Sequence, residues 1–132
     1  MKGNIVALLA IGALIVALSP AYAAPATSQP RLPARIDYKS LSSLLEEPSS
    51  RLLLLDVRTA EEFGAGHIPG AVLAPYDSLE TGFREPDKGR PVVVYCRSGR
   101  RSAIALETLR RMGYTNLSDF GAVDNWKGRL AR

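Results

Sequence analysis

The residues best suited to chemistry surround Cys96, the single cysteine of this 132-residue sequence. Three arginines, a serine and a glycine fill the five positions that follow it. The thiolate is the reactive form of cysteine, and nearby cations and backbone N–H groups lower the pKa of the thiol. The loop at residues 96–101 therefore predicts a nucleophilic thiolate, and the same groups would stabilise a persulfide anion.

This loop lies between the clearest strand and the clearest helix of the sequence. Residues 91–95 include three consecutive valines, which is typical of a buried strand. Residues 102–112 carry apolar side chains at helical spacing. A loop that enters a helix N-terminus directs its backbone N–H groups at a bound anion. We expect an anion pocket with Cys96 at its base; the alternative is an inert, buried cysteine.

The rest of the sequence alternates short apolar runs with helical patterns, which predicts an α/β fold. Further strands are predicted near residue 36 and at 52–55, 71–73 and 115–118. Further helices are predicted at 39–46, 60–65, 77–83 and 124–130. Thr59 and Glu62 have the spacing of a capping box at the start of the helix at 60–65. We expect a central parallel sheet of about five strands flanked by helices.

The N-terminal segment has the pattern of a signal peptide. A positive start is followed by an apolar run at residues 5–18 and by the small-x-small site Ala21-Tyr22-Ala23. The sequence predicts a signal peptide at 1–23, a flexible tail rich in Pro, Ala, Thr and Ser at 24–34, and one domain at 35–132. We expect a periplasmic protein without stable membrane insertion after cleavage; an uncleaved N-terminal anchor is the alternative.

Charge and cysteine content exclude several classes of protein. The sequence has 17 basic and 13 acidic residues, and removal of Lys2 with the signal leaves a net charge of +3. This mild charge suits small anions, but it lacks the basic stripe expected for nucleic-acid binding. One cysteine cannot form a disulfide within the chain, which excludes a disulfide scaffold. One histidine, His67, excludes a two-histidine metal site.

Four segments together resemble the single-domain rhodanese family. They are residues 56–71 with the string Gly-His-Ile-Pro-Gly-Ala, the loop at 95–102, residues 113–117, and the closing glycine and tryptophan at 121–126. The resemblance covers about residues 36–130, nearly the whole predicted domain. One departure is visible, because the family usually has two glycines before the closing tryptophan and here Gly121 is followed by Ala122.

The resemblance implies a rhodanese-like fold and a thiosulfate sulfurtransferase that needs no cofactor. Cys96 would take sulfur from a small anionic donor such as thiosulfate and pass it, as a persulfide, to a thiophilic acceptor such as cyanide or a thiol. The chain is expected to act as a monomer. The residues expected to bind substrate are Arg97, Ser98, Gly99, Arg100, Arg101 and Ser102.

Loop length favours sulfur transfer over phosphate chemistry. Related phosphatases and arsenate reductases have five residues between the cysteine and an arginine, whereas this loop, like those of the sulfurtransferases, has four residues before Arg101. Ser102 occupies the position of the phosphatase arginine. Because this comparison rests on family analogy, it disfavours a phosphatase without excluding it.

Other residues of the matched segments are expected to be structural. The resemblance implies that Asp56 and Arg58 organise the end of the sheet by capping and ion pairing. His67 is expected to hold a turn, with a general base as the alternative. Arg97 could instead be merely solvated, and Arg101 could brace the loop rather than touch substrate.

Two further functions remain open at the level of sequence. In the first, the protein is a carrier that delivers its persulfide to a partner protein. In the second, Cys96 is a redox sensor; such sensors often have a resolving cysteine nearby, and this sequence has none.

Overall fold

The computed structural model describes residues 29–132. The predicted signal peptide and residues 24–28 of the predicted tail lie outside the described residues. The described part of the tail is anchored to the domain: the Leu32 N–H donates to Asn116 Oδ1 at 2.8 Å, and the Ala34 carbonyl accepts from the Asp119 N–H at 3.0 Å. Leu32 and Ala34, which precede the predicted domain boundary at residue 35, are therefore bonded to the domain.

Four parallel strands form the central sheet, in the spatial order β2-β1-β3-β4. The strands are β1 (Leu53–Asp56), β2 (Val72–Leu73), β3 (Val92–Cys96) and β4 (Leu117–Ala122). β3 is buried at all five positions, as expected for the middle of a parallel sheet covered on both faces. The predicted parallel α/β sheet is confirmed.

Helices alternate with the strands along the chain. They are α1 (Tyr38–Glu46), α2 (Ala60–Ala65), α3 (Leu79–Gly82) and α4 (Arg100–Arg111), with 3-10 turns at Pro48–Ser50 and Val123–Asn125. The capping box at the start of α2 is present, with Thr59 and Glu62 bonded in both directions. Within residues 29–132, no helix has the length and apolar character needed to cross a membrane.

The sheet separates two apolar clusters. Val92, Val94 and Cys96 of β3 pack on one face with Leu106 and Leu109 of α4. The opposite face of β3 carries Val93 and Tyr95, which pack with Leu41 of α1 and with Phe120. Alternate side chains of β3 thus pack into the two opposite clusters, and Cys96 lies in the cluster beneath α4.

The strand count and one helix differ from the sequence prediction. Four strands occur among the described residues, and the strand predicted near Ile36 is reduced to a single parallel bridge between Arg35 and Asp119. The last strand lies at Leu117–Ala122 rather than 115–118. The helix predicted at 124–130 was wrong, because only the 3-10 turn at Val123–Asn125 forms.

Trp126 explains why no helix continues. Its ring packs edge-on against Tyr38 with the ring centroids 5.0 Å apart, and its indole N–H donates to the Arg129 carbonyl at 3.3 Å. The backbone at Trp126 is extended. A side chain at Gly128 would lie 2.8 Å from the indole nitrogen, so the chain turns closely around the tryptophan instead of continuing as a helix.

Candidate active site

Cys96 ends β3 and lies fully buried beneath the loop that leads into α4. The Gly99 N–H donates to Cys96 Sγ at 3.0 Å. Gly99 has φ +95°, a left-handed conformation that favours glycine, and it is the N-cap residue of α4. The glycine therefore lets the loop fold back over the sulfur and point its amide at it.

The surroundings of Cys96 favour a thiolate. Burial alone would raise the pKa of the thiol, but the N–H groups of Ser102, Gly99 and Ser98 and the Ser102 hydroxyl outweigh burial, and the pKa lies below its ordinary value. The Ser102 hydroxyl has one proton, which it donates here to the Gly99 carbonyl at 3.0 Å; the same proton can turn towards the sulfur.

The predicted substrate-binding residues fall into two groups. Arg97, Ser98 and Arg100 are exposed on the outer side of the loop, where they can meet an incoming anion. Gly99 and Ser102 lie inward, beside the sulfur. The loop therefore combines a polar inner lining with a cationic outer surface.

Arg101 is held by Glu62 of α2. Its two terminal nitrogens donate to the two carboxylate oxygens at 2.7 and 2.9 Å. The same carboxylate accepts from the Thr59 N–H and hydroxyl at 3.0 and 3.2 Å. This arrangement favours the bracing alternative for Arg101, because its guanidinium is occupied by a carboxylate.

Asp56 and Arg58 form a buried ion pair at the end of β1, with the closest nitrogen and oxygen 2.7 Å apart. The Tyr95 hydroxyl donates to Asp56 at 2.7 Å and accepts from the Ile68 N–H at 3.0 Å. Arg58 also donates to the Gly66 carbonyl at 2.6 Å. The pair thus ties β1 and β3 to the Gly-His-Ile segment, on the face of the sheet opposite Cys96.

His67 contacts backbone and an aromatic ring. Its Nδ1 lies 3.0 Å from the Phe63 carbonyl, and its ring stacks on Phe63 with the centroids 3.8 Å apart. Its backbone N–H and carbonyl pair with Ala131 at 3.0 and 2.8 Å. These contacts fit a residue that holds a turn.

Gly121 and Ala122 clarify the departure in the closing motif. Gly121 has φ +80°, which favours glycine, whereas Ala122 has φ −84° and ψ 141°, which any residue adopts. Ala122 pairs in register with Cys96. The alanine is therefore compatible with the backbone beside the active-site loop.

Two features beside the candidate site were not visible in the sequence. The pairing of Glu62 with Arg101 joins residues 39 positions apart, and no spacing rule predicts it. The second feature is residues 127–132, which we call the C-terminal strap; it crosses His67, and its Leu130 shares a hollow of about 240 Å³ with Arg97 of the loop.

Comparison with known proteins identifies the class. The family model of the rhodanese-like domain matches residues 37–129 of the sequence, and the chain belongs to this family. It is 39% identical over 95 residues to a protein of Allochromatium vinosum named sulfurtransferase, which covers 72% of this chain and 82% of that protein. It is 37% identical over 71 residues to the thiosulfate sulfurtransferase PspE of Escherichia coli, covering 52% and 68%.

A solved structure supports the same conclusion. The human single-domain sulfurtransferase TSTD1 superimposes with a TM-score of 0.61 at 33% identity, covering 72% of this chain and 96% of the human one. The α/β fold described above is therefore the rhodanese-like fold, and all three of these similar proteins are named as sulfurtransferases.

Proposed function

We propose that this protein is a thiosulfate sulfurtransferase in which Cys96 carries sulfur as a persulfide. The observation that carries the proposal is the Gly99 N–H, which donates to the buried Cys96 Sγ at 3.0 Å within a loop whose amides favour the thiolate. A loop that stabilises a negative sulfur before the reaction also stabilises the negative outer sulfur of a persulfide. The relatives named as sulfurtransferases support the same reaction class.

The reaction proceeds in two half-reactions. The Cys96 thiolate attacks the outer sulfur of thiosulfate, a new S–S bond forms, the S–S bond of thiosulfate breaks, and sulfite leaves with the electron pair. An acceptor such as cyanide then attacks the outer sulfur of the persulfide and leaves as thiocyanate, which returns Cys96 to the thiolate. A covalent intermediate of this kind gives ping-pong kinetics.

The exposed arginines of the loop have a role in the first half-reaction. Arg97 and Arg100 stand at the outer side of the loop, where a guanidinium can hold the oxygen atoms of an anionic donor. Arg101 acts through Glu62 as a brace. Ser102 and Gly99 complete the inner lining around the sulfur.

The experiment is steady-state transfer from thiosulfate to cyanide with the purified protein, with both substrates varied. Parallel double-reciprocal lines and loss of turnover in Cys96→Ser are expected, with the variant's circular dichroism unchanged. The matched control is Ser118→Ala, which alters a buried serine hydroxyl away from the loop and should keep turnover. Turnover in Cys96→Ser would contradict the persulfide mechanism. A folded wild type with a free thiol and no turnover would instead favour the carrier alternative.

Export to the periplasm is part of the proposal and rests on the N-terminal sequence. Cell fractionation should place the protein in the periplasm, and its mass should correspond to a chain that begins at Ala24. Replacement of both small residues, Ala21→Leu with Ala23→Leu, should block cleavage. A full-length wild-type chain in the membrane fraction would favour the uncleaved anchor.

A further inference from the structure

Unpaired cations are concentrated in one part of the protein. Thirteen arginines lie in residues 29–132, and seven of them form an ion pair with a carboxylate. The six without such a pair are Arg31, Arg84, Arg97, Arg100, Arg129 and Arg132. Four of these six belong to the active-site loop and the C-terminal strap. Three lysines also lack a carboxylate partner, of which Lys127 lies in the strap and Lys39 and Lys88 lie elsewhere, so five of the nine unpaired cations belong to these two segments.

The loop and the strap border each other. The strap is fixed by the two backbone hydrogen bonds between His67 and Ala131. Leu130 lies against Gly66, where an added Cβ would be 3.2 Å from Leu130 Cδ1, and it shares the 240 Å³ hollow with Arg97. We call the five cations of the loop and the strap that lack a carboxylate partner the cationic rim: Arg97, Arg100, Lys127, Arg129 and Arg132.

The cationic rim carries more charge than a small donor requires. Thiosulfate carries two negative charges and is already met by the loop amides and by Arg97 and Arg100. The strap adds three further cations within six residues and contains no acidic residue. Glu62 lines the same hollow, but its carboxylate is occupied by Arg101.

The rim also has an apolar centre. Leu130 is 47% exposed and is one of three exposed large hydrophobic side chains among the described residues. Leu130 follows Arg129 in the chain, precedes Arg132 by two residues and shares the hollow with Arg97. An apolar side chain beside unpaired cations matches the contact surface of an acidic protein segment with one apolar residue. A small inorganic anion has no apolar group that could pack against the exposed leucine.

We infer that the cationic rim docks the sulfur acceptor, and that this acceptor is a protein segment in which acidic residues flank a thiol. The inference rests on the proposed function, because it assigns the second half-reaction. The acceptor thiolate attacks the outer sulfur of the Cys96 persulfide, a new S–S bond forms on the acceptor, and Cys96 leaves as the thiolate. No oxidant or reductant is required.

The test uses three synthetic peptides of equal length with one cysteine each, flanked by glutamate, glutamine or lysine, as acceptors with thiosulfate as donor. The glutamate peptide should have the highest kcat/KM, and increasing salt should reduce its advantage. The rim variant combines Lys127→Gln, Arg129→Gln and Arg132→Gln. It should lose about tenfold in kcat/KM for the glutamate peptide while kcat/KM for cyanide changes less than about twofold.

A charge-matched control separates docking from net charge. Arg31→Gln, Arg84→Gln and Lys88→Gln together remove three cations outside the loop and the strap, and this variant should retain the preference for the glutamate peptide. Equal kcat/KM values for all three peptides, or an equal loss in the control variant, would overturn the inference. So would rim-dependent binding to anionic phospholipid vesicles without any peptide preference. The cyanide reaction is scored separately, and its absence in wild type would instead count against the proposed function.

Discussion

Arg101 and Glu62 join the start of α4 to the start of α2 through two hydrogen bonds, at 2.7 and 2.9 Å. Glu62 simultaneously completes the capping box with Thr59. One carboxylate therefore caps the start of α2 and also holds the loop that carries Cys96. Neither partner is deeply buried, since their side chains are 21% and 24% exposed.

The ion pair predicts a pH dependence of stability. The hydrogen bond from Arg101 holds the pKa of Glu62 at about 2, below its ordinary 4.5. Because the folded state favours the ionised form of Glu62, the pair stabilises the protein. This stabilisation is complete above pH 4.5 and is lost as the pH falls through about 2. At neutral pH, Glu62→Gln should cost about 1 kcal/mol of unfolding free energy.

Urea unfolding at several pH values measures this effect. The difference between wild type and Glu62→Gln should shrink between pH 4.5 and 2, whereas Glu61→Gln, an exposed neighbour on the same helix, should show no such difference. If wild type and Glu62→Gln lost the same amount of unfolding free energy between pH 4.5 and 2, the prediction would be wrong.

Arg100 offers a test of donor binding. Arg100→Ala should raise the KM for thiosulfate about tenfold, equivalent to about 1.4 kcal/mol, with a smaller change in kcat, because in the proposed reaction the guanidinium holds the donor but does not react. Steady-state kinetics would measure both constants. Arg110→Ala is the matched control, since Arg110 lies on the same helix and pairs with Glu107; a KM unchanged in Arg100→Ala would remove Arg100 from the site.

The Tyr95 hydroxyl should contribute strongly to stability. Tyr95→Phe deletes the group that donates to Asp56 and accepts from the Ile68 N–H, and it leaves both partners buried. We expect a loss of about 1–3 kcal/mol in unfolding free energy, measured by chemical denaturation. Tyr114→Phe is the control, because its hydroxyl bonds to the half-buried backbone of Glu85; an equal or larger loss there would contradict the argument.

Gly121 and Ala122 should respond in opposite ways to exchange of glycine and alanine. Gly121→Ala places a side chain at φ +80° and should cost about 1–2 kcal/mol. Ala122→Gly, at φ −84°, should change stability by less than about 1 kcal/mol. Thermal unfolding of both variants would measure this, and a tolerated Gly121→Ala would show that the left-handed conformation is not required.

Local patterns in the sequence were sufficient for most elements of the fold. The valines of β3, the leucines of β1 and the Thr59–Glu62 capping box depend on neighbours within a few residues, and their positions agree with the structure within one or two residues. The helix predicted at 124–130 failed because the contact of Trp126 with Tyr38 is long-range. Hydrophobic spacing cannot report such a contact.

In the candidate site, too, local features could be predicted from the sequence and long-range contacts could not. The sequence placed Cys96 between a strand and a helix, and the loop occupies that position. It did not predict the pairing of Glu62 with Arg101, nor the C-terminal strap beside Arg97, because each joins segments at least 30 residues apart. Their proximity follows from the order of strands and from the return of the chain across His67.

The solitary, buried Cys96 has a practical consequence for following sulfur through this protein. Because no second thiol exists in the sequence, every sulfur atom gained by the chain as a persulfide reports on one position, and intact mass spectrometry reads the loaded fraction without mutagenesis. In the proposed mechanism, the stored sulfur has no second thiol in this sequence with which to form an internal disulfide. In that mechanism, the stored sulfur leaves the chain only by transfer to another molecule that reaches Cys96.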